Sequence, residues 1–286
     1  MNCPKCDIYN PPGTKKCDCG YIFMNVPDYT QKILKSKPDK LPIKTYLRIV
    51  IILSLITFAI TFFLKDQLPG KNQIKNELLG EPLQYKEQLP APFNVTKKNI
   101  TYTVTPLYNY DLYGLIVSYH ESDSFIDISH KRWKDYLNVK DLCVIWGKNI
   151  TMEGYLHMTF NSRDFICFCK WPNAGIGKKF SMRHFSNNHL IAENRTIIDK
   201  IMKTRIGDQI HIYGYLSKYS HSGSSFNRGT STSRTDNGNR ACETIFVTDF
   251  EIIKTNNPLL RTANRISIML IILSLIFMVI HYHRSQ

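Results

Sequence analysis

Apolar residues crowd into two unbroken runs, YLRIVIILSLITFAITFFL at 46–64 and ISIMLIILSLIFMVIHY at 266–282, and elsewhere they alternate with polar ones. Arg48 is the only Lys, Arg, Asp or Glu in either run, so a helix built from them is apolar on every side. At 1.5 Å rise per residue such helices reach roughly 26–29 Å, close to the ~30 Å hydrocarbon layer of a bilayer. Both runs are therefore expected to span a membrane. A cleaved leader is not expected, because 45 residues precede the first run and no small-residue cleavage site follows Phe63-Leu64. Basic residues set the orientation: Lys32, Lys35, Lys37, Lys40, Lys44 and Arg48 precede the first run, and only Lys65, Lys71 and Lys75 follow it closely. The expectation is a membrane hairpin with both termini cytoplasmic and residues 65–265 outside the cytoplasm.

Between the spans the pattern is that of strands. Ile100–Leu107, Tyr110–Tyr119, Leu142–Trp146, Gly154–Phe160, Phe165–Trp171, Gln209–Tyr219 and Glu243–Ile253 are rich in β-branched and aromatic residues. Helix is expected only at Trp133–Tyr136 and Ile197–Met202. The polar, proline-bearing stretch 65–92 reads as a stalk with one short helix at 71–79, and 93–256 as a mainly β domain, a barrel or a sandwich. Gly207-Asp208 before a strand with Gly214 inside it resembles the latter part of OB-like barrels, in which an interior glycine permits strong bending.

The cysteines change the picture at the N-terminus. Cys3, Cys6, Cys17 and Cys19 lie within MNCPKCDIYNPPGTKKCDCGYIF, a spacing suited to four thiolates around a tetrahedral Zn2+. Only Ile8, Tyr9, Tyr21, Ile22 and Phe23 are available as core, so the metal is expected to supply the folding energy and to be structural. The segment resembles the short zinc-ribbon modules at the N-termini of many prokaryotic membrane proteins. It departs from them in having C-x-C in its second half. Residues 1–24 are thus taken as a ribbon and 25–45 as a basic, proline-bearing linker, together displayed to a cytoplasmic protein partner.

The 286 residues carry a formal charge of +14, but no segment is a polybasic tract, and nucleic acid is not an expected partner. The charge suits lipid head groups or an acidic envelope polymer. A second cysteine set, Cys143, Cys167, Cys169 and Cys242, falls in the β domain. Disulfides, buried thiols and a metal site all remain open for it. Cys167 and Cys169 would share a strand face and bond poorly to each other. Asn188, His189, Arg234 and Asp236 are candidate ligand-binding residues for an anionic or carbohydrate envelope ligand. A Cys242, His189 and Asp236 set is the candidate for thiol catalysis. A serine nucleophile elbow, HExxH and Walker elements are absent. The strings YDLYGLIVSYH, DLCVIWGKN, SNNHL and SRTDNGNRACE resemble the ectodomain of an uncharacterised group of bacterial two-span membrane proteins, which implies location and no activity. The expected function is non-enzymatic binding or assembly in the envelope, with a Cys/His hydrolase or transferase as the alternative.

Overall fold

The computed structural model describes residues 1–23, 42–122, 124, 127–223, 225–233, 235 and 242–283. Two compact units divide the chain, Met1–Ser54 with Leu270–Gln286, and Leu55–Met269.

Helix α1 (Ile43–Leu64) and helix α6 (Pro258–His283) contain the two apolar runs and extend beyond each. Both are long and apolar enough to cross a membrane. Their large side chains face away from protein, Phe63 being 75% exposed and Leu53 59%, so packing within the chain does not explain why they are apolar. In the second unit the adjoining ends of α1 and α6 are fastened by polar groups. Asn264 donates to Thr61 Oγ1 at 2.9 Å, and Asn257 Nδ2 reaches the carbonyls of Leu64, Lys65 and Gln67 at 3.3–3.4 Å. Arg261 donates to Asp208 Oδ1 and to the Ile206 carbonyl, both at 2.7 Å.

The remainder is mainly sheet. In order come β1 (Leu83–Tyr85), β2 (Phe93–Lys97), β3 (Ile100–His120), α2 (Ser129–Arg132), β4 (Asn138–Ile145), α3 (Lys148–Thr151), β5 (Thr159–Arg163), β6 (Ile166–Lys170), α4 (Ala174–Lys179), β7 (Phe185–Ile191), α5 (Arg195–Lys203), β8 (Gln209–His221), β9 (Asn227–Arg228) and β10 (Cys242–Lys254). Pairing runs β3–β4–β7–β10–β8 and returns from β8 to β3, so each of these five strands is bonded on both edges. All contacts in the circuit are antiparallel except β7 with β10. β5 and β6 form a separate hairpin.

Several expectations are corrected here. Ile100–Leu107 and Tyr110–Tyr119 are one strand; Pro106, which has no N–H for the ladder, sits where the register with β8 shifts, so the proline marks a bulge and not an end. Gly154–Phe160 opens as a 3-10 turn, Gly154–His157, and becomes strand only at Thr159. The helix expected at Trp133–Tyr136 lies one turn earlier. The stretch read as a stalk is packed: Leu78 is fully buried, β1 pairs with β3, and Trp146 Nε1 donates to Glu81 at 3.1 Å.

The inward positions of the circuit alternate with outward ones. Leu112, Leu142, Leu190, Ile212, Ile245 and Phe250 form its core with Ile197 and Ile201 of α5. Each such buried side chain contributes about 1.5–3 kcal/mol. Gly214 is required by a close approach: a Cβ there would lie 2.1 Å from the Phe246 carbonyl oxygen of β10. Gly207 stands at φ +84° in the turn before β8, and Asp208 beside it accepts from the Arg205 and Asn256 backbone N–H groups at 2.8 Å.

Candidate functional site

The N-terminal cysteines converge as their spacing predicts. Cys3-Pro4-Lys5-Cys6 and Cys17-Asp18-Cys19-Gly20 each fold into a turn, with the Asp7 N–H donating to the Cys3 carbonyl and the Gly20 N–H to the Cys17 carbonyl, both at 2.8 Å. Asp7 at φ 55° and Gly20 at φ 84° reverse the chain after each turn. Cys3 Sγ lies 3.4 Å from Cys19 Sγ, and Cys6 Sγ 3.7 Å from Cys17 Sγ. The four ligand atoms fall within 4.8 Å of one another, with Cys3 and Cys17 buried, and this group could hold a metal ion such as zinc. The Cys19 backbone amide and the Asn10 side chain hold the Cys17 thiol down at about 6. Cys6 is pushed up to about 12 even though the Ile8 backbone bond lowers it, because the surrounding sulfurs raise it. Four adjacent thiolates without a cation repel; a divalent ion removes the conflict.

The β domain carries the second constellation, and strand register explains it. β4, β7 and β10 lie side by side, with Asp141 opposite His189 and His189 opposite Thr244, and with Cys143 opposite Asn187 and Asn187 opposite Cys242. These residues share the outward face, because the alternate positions Leu142, Leu190 and Ile245 point into the core. His189 Nδ1 lies 2.8 Å from Asp141 Oδ1, an ion pair off the hydrogen-bond direction. Asn138 donates to the same carboxylate oxygen at 2.8 Å. Burial alone would push the His189 pKa down; the Asp141 charge overcomes it and lifts it to about 9, with Cys242 adding a hydrogen-bonding contact. Asp141 is correspondingly held below the usual carboxylate range by His189 despite its burial.

Cys242 is a free thiol, half-buried, 3.6 Å from both the Phe165 carbonyl and Asn187 Nδ2. It and His189 line a cleft of about 800 Å3 with Trp133, Phe165, Phe226 and Arg228. Arg228 lies over the Phe165 ring at 4.0 Å, and its buried Nη1 has no hydrogen-bond partner among the described residues. Asp164 also lines this cleft.

The sequence-predicted residues are thus brought together only in part. His189 and Cys242 meet, but the carboxylate beside them is Asp141, one residue before the expected strand Leu142–Trp146. Asn188 projects from the opposite face of β7 and is consumed internally, donating to the Leu142 carbonyl at 3.2 Å and to Ser186 Oγ at 2.8 Å. SNNHL lies in strand β7, and the N-cap of α5 is Asn194, whose side chain accepts from Thr196 and Ile197. Arg234 and Asp236 lie outside the described residues. Of the second cysteine set, Cys143 and Cys167 form a disulfide, and Cys169 and Cys242 are free. Arg228 escaped sequence reading because nothing in SSFNRGTS separates one loop arginine from another.

Comparison of the chain with family models, with curated proteins and with solved structures finds no match. What stands of the expected resemblance is the pair of long apolar helices and the four-cysteine cluster.

Proposed function

We propose that the chain is a two-span inner-membrane binding protein, with a zinc ribbon in the cytoplasm and an OB-like barrel outside it that takes an acidic saccharide of the envelope. The barrel reading rests on the closed five-strand circuit, its long first strand β3 bonded at both ends of the circuit, its single parallel pair, and α5 between the third and fourth strands. The observation that carries the ligand reading is Arg228: a guanidinium with a buried Nη1 that has no hydrogen-bond partner among the described residues, in a cleft that it lines with His189, Trp133, Phe165 and Phe226. Aromatic faces suit sugar rings and an arginine fork suits a carboxylate. Titration calorimetry on the full chain in detergent, with a uronic-acid oligosaccharide and its neutral counterpart as probes, tests this. Binding of the acidic probe alone, lost in Arg228→Gln, is expected. No heat from the acidic probe, or equal binding of both, overturns it. Labelling of Cys242 by a membrane-impermeant thiol reagent in cells with a permeabilised outer envelope tests the orientation; labelling only after the inner membrane is broken overturns it.

A second reading, thiol-dependent acyl transfer or hydrolysis, is favoured by one observation, the free Cys242 against a His189 oriented by Asp141. In it Cys242 Sγ attacks a carbonyl carbon, His189 carries the thiol proton to the leaving group, and Asp141 stabilises the imidazolium. Iodoacetamide would alkylate Cys242 at least about tenfold faster than Cys169 at pH 6, with the advantage lost in His189→Gln; equal rates would dispose of it.

A further inference from the structure

A second group of metal-capable side chains among the described residues lies in the β domain, beside the cleft that Asp164 lines with Cys242 and Arg228. His120 ends β3, and Asp127 and His130 bracket the start of α2. Asp127 Oδ2 is 2.7 Å from His120 Nε2 and 2.5 Å from His130 Nδ1. The three ligand atoms lie within 4.8 Å of one another. The His130 backbone N–H donates to Asp127 Oδ1 at 2.8 Å, which fixes the carboxylate and leaves Oδ2 turned to the two imidazoles. Asp164, between β5 and β6, brings Oδ1 to 3.4 Å from His120 Nε2, while its Oδ2 accepts from Ser129 Oγ at 2.5 Å. The side chains of Asp127 and His130 are at most 2% exposed, whereas that of Asp164 is 41% exposed, so the group is rigid on one side and open on the other.

We propose that His120, Asp127 and His130, with Asp164 as fourth ligand, bind a divalent metal ion of the zinc class. Two neutral imidazoles and two carboxylates supply the mixed nitrogen and oxygen set that such ions accept, and their two negative charges match the ion. Calcium and magnesium favour oxygen-only shells. His130 Nε2 is 2.9 Å from Asn138 Nδ2, which also donates to Asp141 Oδ1 at 2.8 Å, so Asn138 holds the far side of the ring while Nδ1 faces Asp127.

The same distances serve a carboxylate shared by two histidines with no ion at all, and metal stoichiometry separates the two. The full chain in detergent is stripped with a chelator, reloaded with Zn2+, desalted and assayed for zinc by mass spectrometry. Two equivalents per chain are expected. Replacing Cys3, Cys6, Cys17 and Cys19 by Ser should remove one, and His120→Gln should remove the other. One equivalent in the native chain, lost entirely with the four cysteines, overturns the proposal, as does a His120→Gln chain that still holds two. Should His120→Gln disturb the fold, Co2+ titration of the four-serine chain decides independently. Ligand-field absorption without a sulfur charge-transfer band is expected at one equivalent, and its absence overturns the proposal.

Discussion

The cysteine module and the β domain solve the same problem by opposite means. Residues 1–23 leave Ile8, Tyr9 and Ile22 more than half exposed and bury little besides Cys3 and Cys17. On the zinc-ribbon reading, their order depends on the ion that the four sulfurs would hold. The β domain closes five strands on an apolar interior and adds a buried ion pair and a disulfide. A small fold without a core concentrates its stability in one chemical event, whereas a closed sheet distributes it over many contacts.

That contrast is sharpest under chelation. Stripping metal should abolish amide-exchange protection throughout residues 1–23 while the β10 and β8 amides keep theirs; equal loss in both regions would break the distinction. Next in size, Arg261→Ala should cost the β domain about 3–5 kcal/mol in denaturant unfolding, because Asp208 is left charged and fully buried. Reduction of Cys143–Cys167, which closes a 24-residue separation, should cost about 3 kcal/mol and leave residues 1–23 untouched. The last effect is electrostatic. The His189 pKa is raised to about 9 against an ordinary value of 6.5, so its contribution to stability is complete below about pH 6.5 and is lost as pH rises through 9. Asp141→Asn should drop that pKa below its ordinary value, since burial then outweighs the remaining Cys242 contact, and an NMR titration of the imidazole reads it directly.

The elements most legible in the sequence were those whose signal is local. The two apolar runs, the cysteine spacing and the strands over 209–219 and 243–253 follow from composition within one segment. Residues 65–92 misled because Leu78 and Glu81 find partners, such as Trp146, far along the chain, and polar composition hides such anchors. Asp141 was hidden for a related reason. Its role comes from lying opposite His189 in a neighbouring strand, and register between strands 48 residues apart is set by the whole circuit, not by DLCVIWGKN. The same applies to His120, Asp127 and His130, whose spacing matches no familiar ligand motif and whose convergence depends on the turn after β3.

The fastening between α1 and α6 has a mechanical meaning. The carbonyls at the end of a helix ordinarily fray and absorb small displacements. Here the last carbonyl of α1, at Leu64, is met by Asn257, immediately before the first turn of α6. The Leu64 end of α1, the start of α6 and, through Arg261 and Asp208, the turn that launches β8 are therefore joined by one run of polar contacts within the second unit.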